Sequence, residues 1–252
     1  NNTNGPLPKL FEPEILKFEY KYYYENSFFD SNSFIFNTFD SDLDELEYLI
    51  RGLSIRSREN EKSLIIISNI LTWATTPLKE NPSSEKDEAY EIDLKDFKSN
   101  EFEENKNNSM EDLNAHEEAK VNDSYIMKKK YYKYTDKDYN IRKPSHKYKR
   151  LVYLENLAYS LANDNFKVYT VCPGFIYGCG ENFFFDYFKA SWFQSPSELP
   201  IIENGDNFLP TIHIIDLAKT IKRVVENKPN ERYILAVDRT KNTTMKSLMQ
   251  SI

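Results

Sequence analysis

The stretch VCPGFIYGCGENFF, residues 171 to 184, gathers the residue types and spacings in this chain that most suit chemistry. It holds three of only six glycines: Gly174, Gly178 and Gly180. Glycine serves where the backbone takes a positive φ or must let another group come close. An apolar run, then Pro-Gly, then Tyr-Gly-x-Gly-Glu reads as a strand leaving a sheet and turning over something, which in an enzyme would be a nucleotide. Cys172 and Cys179 flank this turn. No nearby His or Cys completes a zinc set, so both read as small packing residues rather than metal ligands. His213 reads as a buried, hydrogen-bonded side chain rather than a base, and nothing recommends His116 or His146, which lie in polar surroundings. No G-x-x-x-x-G-K-[ST] phosphate loop occurs in the chain.

Periodicity predicts the elements that must position the turn. SFIFNT (33–38) is a short strand candidate, and SDLDELEYLIRGL follows with Leu43, Leu46, Leu49, Ile50 and Leu53 at helical spacing. Ser41 and Asp44 approximate a capping box at its start. SLIIISNIL (63–71) is a β-branched run that needs cover on both faces, the habit of a parallel sheet. Residues 145–163 form a helix with Leu151, Leu154, Leu157 and Leu161 on its apolar side. FKVYTVC (166–172) is the strand entering the glycine turn, and ENFFFDYFKASWF (181–193) is an aromatic helix. Its stripe of Phe183, Phe184, Tyr187, Phe188 and Trp192 reads first as core, with a partner-binding face as the rival. LPII (199–202) is extended. TIHIIDLAKTIKRVVEN then gives a strand and a helix capped by Asp216, with Leu217, Ile221, Val224 and Val225 buried. RYILAVD (232–238) is a further strand and TTMKSLMQSI opens a last helix. Alternating strands and helices imply a three-layer α/β sandwich around a mostly parallel sheet.

The 252 residues carry 33 basic and 40 acidic side chains, a net charge of −7. That balance argues against general nucleic-acid binding, which needs a basic face. No apolar run approaches the roughly 18 residues of a membrane span, so a soluble protein is expected. Two cysteines suggest a reducing compartment. From about 79 to 133 the composition turns to Glu, Asp, Lys and Asn, too polar to offset its ordering entropy. This reads as an acidic, mostly loop-like insertion, with room for a short helix, into one domain spanning 1–252. The chain opens Asn-Asn-Thr-Asn without an initiator Met, which reads as a piece of a longer protein.

The order of these signals resembles the C-terminal two-thirds of an extended short-chain dehydrogenase/reductase. The counterparts are a strand ending in Ser68, the 145–163 helix, CPGFIYGCGE, and His213 with Asp216. LIIISNILTWATT, YTDKDYNIRKPSH, LPTIHIIDLA and YILAVD look more closely like the N-terminal dehydrogenase-like region of the adenylate kinase isoform seven family of cilia and flagella. The resemblance implies a Rossmann-like fold lacking its first strands here, with an adenylate kinase domain and a Dpy-30 motif lying outside this stretch.

Dehydrogenase chemistry of that kind uses a Tyr phenol and a Lys one helical turn later, which lowers the phenol pKa and holds the ribose. The matching positions hold Lys147 and Leu151, and shifting to Tyr148 pairs it with Val152. Two literal Tyr-x-x-x-Lys matches, Tyr125 with Lys129 and Tyr139 with Lys143, read as chance in so Tyr- and Lys-rich a chain; Pro144 disfavours helix at the second. The catalytic hydroxyl positions hold Asn69 and Ile70, and Ser68 reads as bonding backbone at the sheet edge. Before residue 170 only Gly5 and Gly52 occur, and neither makes a dinucleotide turn. The expectation is therefore no catalytic, cofactor-binding or metal residue and no cofactor. The resemblance implies a catalytically degenerate scaffold in the cytoplasm of a ciliary axoneme, among other axonemal proteins in a large complex and without nucleic acid or membrane. The alternatives are an NAD(P)-dependent reductase or epimerase with a divergent site, and a nucleotide sensor that binds without chemistry.

Overall fold

The computed structural model describes residues 29–56, 60–82, 85, 88–93, 128–181, 183–195, 198, 201, 204–239 and 243–252. In chain order the elements are β1 (Ser33–Asn37), α1 (Leu43–Arg56), β2 (Lys62–Ile67), β3 (Ala89–Asp93), β4 (Lys128–Tyr132), α2 (Lys149–Leu161), β5 (Phe166–Pro173), β6 (Phe175–Tyr177), α3 (Phe185–Phe193), β7 (Thr211–His213), α4 (Ile214–Asn227), β8 (Tyr233–Ala236) and α5 (Met245–Ser251). Short 3-10 turns occupy Ile70–Trp73, Asp136–Ile141 and His146–Tyr148.

The apolar run 64–67 cannot leave either side in water, and the sheet solves this with a helical layer on each face. Strands β1, β2, β5 and β8 pair in that order, all parallel. Successive side chains of a strand point to opposite faces. Leu64 and Ile66 join Phe34, Phe36, Phe166 and Val168 under α1 and α2, against Leu46, Ile50, Leu53, Leu151 and Leu154. Ile65 joins Tyr169 and Val171 on the other face, against Leu217 and Val224 of α4. Each fully buried Leu, Ile or Phe contributes about 1.5–3 kcal/mol relative to exposure. The result is the α/β, Rossmann-like sandwich with a mostly parallel sheet that the strand–helix alternation predicts. Smaller pairs flank it: β6 with β7, parallel, and β3 with β4, antiparallel.

Several boundaries differ from expectation. The start of α1 is satisfied by Asp42, not Ser41: its carboxylate accepts the Asp44 N–H at 3.0 Å and its carbonyl accepts from Leu46. Strand β2 stops at Ile67, because the Asn69 side chain accepts the Leu71 N–H at 2.9 Å and starts a 3-10 turn. The helix expected from 145 begins as α helix only at Lys149, and the aromatic helix only at Phe185. His213, not Asp216, caps α4: its Nδ1 accepts the Ile215 N–H at 3.2 Å. Asp216 is instead exposed in the first turn and pairs with Lys219 at 2.8 Å. Of 199–202 only Ile201 is described, outside any strand.

Within the acidic stretch, residues 94–127 lie outside the described residues. Its two ends pair as β3 and β4, and Lys79 bridges Tyr132. Lys79 is itself buried, its ammonium 2.8 Å from the equally buried Asp138 carboxylate. The polar composition conceals that anchor.

Candidate functional site

Open α/β sheets bind ligands at the carboxyl ends of their strands. At the ends of β2 and β5 this chain places a buried polar cluster. Ser68 follows β2 directly, and its N–H donates to the Val171 carbonyl at 2.8 Å. Its hydroxyl does not turn to the backbone, as expected, but donates to Glu155 Oε1 at 2.5 Å. Glu155 lies in the middle of α2 and is fully buried. A carboxylate there needs donors, and Arg142 supplies the second through Nη2 to Oε2. Arg142 arrives from the extended residue after the 3-10 turn Asp136–Ile141. Its guanidinium lies 4.8 Å over the Tyr233 ring, which stacks on Tyr139 at 5.2 Å, and the Tyr233 hydroxyl accepts from Trp73 Nε1 at 2.8 Å.

Burial governs the acid–base character of this cluster. It pushes the Glu155 carboxyl above the usual range, against the opposing pull of Arg142 and Ser68. Burial pulls the Arg142 guanidinium down, but the Glu155 carboxylate beside it leaves it above its ordinary value. The Cys172 thiol is pushed up to about 11 by burial, and the Tyr233 phenol rises for the same reason. Both remain protonated at neutral pH, so neither is poised as a nucleophile or base.

The positions matched to the dehydrogenase Tyr and Lys lie elsewhere. Lys147 is exposed, with its ammonium 5.7 Å from the Tyr148 ring. Leu151 is buried under the sheet. Tyr139 sits in a 3-10 turn stacked on Tyr233, and Lys143 is exposed beyond the extended Arg142, so this pair shares no helix face. Tyr125, His116 and Gly5 fall outside the described residues. His146 is exposed.

The glycine turn does bend over something, and it is the chain itself. Gly178, Cys179 and Gly180 take φ of 90°, 58° and 111° in succession. The Gly178 N–H donates to Glu181 Oε1 at 2.8 Å. A Cβ on Gly178 would stand 2.3 Å from His213 Nε2, so glycine is required twice over here, by φ and by space. His213 is half-buried rather than buried, and meets Tyr177 edge-on at 5.2 Å. Cys172 packs in the interior as expected, but Cys179 is exposed at the tip of the turn.

Beside the turn lies an open hollow of about 420 Å³ lined by Tyr177, Phe184, Phe188, Thr211, Asp238 and Ser247, among others. Burial, then Asp238, pushes the Tyr177 phenol above its usual range. The helix above it corrects the core reading of the aromatic stripe. Phe184 and Ala190 are buried, whereas Phe183, Phe185, Phe188, Trp192 and Phe193 are exposed, Trp192 to 85 %. Nine residues hold too many rings for one face of a short helix to cover.

Sequence reasoning passed over Glu155 and Arg142. The spacing Leu151, Leu154, Glu155, Ala158 already puts Glu155 on the buried face of α2, a signal available from periodicity. Its partner's approach from a turn in another segment was not. Among the described residues no group of three or more His, Cys, Asp or Glu side chains is arranged to hold a metal, and no helix is long and apolar enough to cross a membrane.

No protein-family model matches the chain, and no solved structure does. Curated proteins do. Adenylate kinase 7 of Macaca fascicularis is 36 % identical over 78 residues, covering 31 % of this chain and 15 % of that protein. Adenylate kinase 7 of Mus musculus is 29 % identical over 112 residues, covering 44 % of this chain and 18 % of that protein. The matches thus span less than a fifth of the length of either relative, and over those stretches this chain is similar to adenylate kinase 7.

Proposed function

We propose that this region is a catalytically degenerate, dehydrogenase-like scaffold domain of a ciliary axonemal protein. The observation that carries the reading is the occupancy of the chemical positions. Lys147, exposed, and Leu151, buried in the core, stand where the resemblance calls for a proton-transferring Tyr and its Lys. The strand-end Ser68 is committed to Glu155. The aromatic rings of α3 supply the docking role. Exposed aromatic clusters mark interaction surfaces, and an anchor that fills a partner's pocket is worth about 2 kcal/mol or more. Adenylate kinase activity, which the relatives' name carries, belongs to sequence outside this stretch.

The test is turnover. Protein extended upstream is expected to show no oxidation of NADH or NADPH with a panel of carbonyl compounds and nucleotide sugars. Protein-dependent oxidation abolished by Tyr148→Phe would falsify the scaffold reading in favour of a divergent reductase. The hollow beside the glycine turn favours a second reading, nucleotide binding without chemistry. Titration of NADH fluorescence distinguishes it: saturable binding weakened by Asp238→Ala supports the sensor, and no saturable binding removes it.

A further inference from the structure

We infer that the surface strip Lys143–Arg150 docks an acidic polypeptide segment of a partner protein. In a chain of net charge −7, residues 143–150 read KPSHKYKR, with no acidic side chain. Lys143, His146, Lys147, Lys149 and Arg150 are all exposed, as is Lys137 just before them. Arg150 alone in the strip is neutralised, by Asp44 and, at 3.9 Å, Glu47. Lys137, Lys143, Lys147 and Lys149 form no ion pair among the described residues, whereas Lys133, Lys219, Lys222 and Lys228 each have a carboxylate within 4 Å.

The strip rests on ordered backbone. The Lys143 N–H donates to Thr76 Oγ1 at 2.8 Å, its carbonyl accepts from the Thr75 N–H at 3.0 Å, and the turn His146–Tyr148 runs straight into α2. No acidic residue lies in the first turn of α2, so the charges there add to the positive end of the helix dipole. Mutual repulsion among neighbouring exposed ammonium groups is relieved by an anionic partner. Ammonium groups on flexible stems suit separate carboxylates as point charges. A nucleic acid presents a continuous row of phosphates and needs a longer basic face than one eight-residue strip. The chain's own residues 94–127 are a poorer match than a uniformly acidic partner, because Lys95, Lys98, Lys106 and Lys120 interrupt their acidity.

The experiment follows the anisotropy of a labelled oligo-glutamate peptide on the intact protein. Saturable binding is expected, weakening steeply as added salt shortens the Debye length to about 3 Å at about 1 M. Lys143→Glu, Lys147→Glu and Lys149→Glu together are expected to weaken it about tenfold or more, with an unchanged melting temperature. The same change of charge at Lys219, Lys222 and Lys228 is expected to leave binding within about twofold. Equal losses in both triple variants would mean that net charge alone is sensed, and would overturn the proposal. Binding that appears only after 94–127 are replaced by a Gly/Ser linker would make that segment the occupant and overturn it too. So would tighter strip-dependent binding of an oligonucleotide of equal charge.

Discussion

Around the ends of β2 and β5, ionisable side chains are buried and paired, whereas from Phe183 to Phe193 five aromatic rings face solvent. The first region encloses what usually stays in water, and the second leaves out what usually goes inside. The contrast has a physical reading. A charge taken from water costs several kcal/mol, so Glu155 stays inside only because Arg142 and Ser68 both donate to it. The two charges are paired within the chain, although Arg142 Nη1 is buried there without a hydrogen-bond partner. Among the described residues, the exposed rings of α3 are left uncovered, and contiguous exposed apolar surface favours burial against another surface.

Glu155→Ala attacks the closed region most directly. It strands the buried Arg142 guanidinium, and urea denaturation should show a loss of about 3–5 kcal/mol. Replacing both partners, Arg142→Met with Glu155→Leu, should recover most of that loss. A double variant as unstable as the single would mean that packing around α2, not charge pairing, holds the region.

Gly178→Ala tests the seam between the two regions. Its positive φ and the His213 ring at the Cβ position predict a loss of about 1–3 kcal/mol by the same assay. A neutral result would show that the turn relaxes freely and does not fix α3.

A smaller effect concerns pH. Burial raises the Glu155 carboxyl in the folded state above its ordinary value of 4.5. The folded state then keeps this proton to higher pH than the unfolded state does. The stabilising contribution is full below about 4.5 and is lost as pH rises through the folded value. The difference in unfolding free energy between wild type and Glu155→Gln should therefore shift against wild type as pH rises above 4.5. A flat difference between pH 4 and pH 7 would place the folded carboxyl at its ordinary value, with Arg142 cancelling burial.

Trp192→Ala should do least to stability, less than about 0.5 kcal/mol, since the ring is 85 % exposed. Under the proposed axonemal role, the same change is expected to reduce incorporation into axonemes. Unfolding by a few kcal/mol, as for a buried aromatic, would return α3 to the core.

Much of the sandwich was legible in the sequence because its signals are local. The apolar run 64–67 demanded two covered faces, and Leu46, Leu49, Ile50 and Leu53 at helical spacing demanded a sheet to lie on. The glycine cluster announced backbone at positive φ, and three successive residues of the turn have it. Caps were less legible, because Ser41 and Asp42, or His213 and Asp216, compete for the same helix end. Which side chain reaches the N–H groups depends on how the preceding strand enters, not on residue type alone.

Sequence by itself thus determined the fold class and the order of most elements. These follow from residue type, periodicity and spacing along a single element. Only the tertiary structure decided that Glu155 is an ionic hub rather than a stray acid in an apolar stripe. Its partners Ser68 and Arg142 lie 87 and 13 residues away. Only the structure decided that Glu181 closes the glycine turn and that α3 keeps its rings in water. Whether a polar group is satisfied, or an apolar one covered, depends on neighbours brought together from distant segments, and no local pattern carries that information.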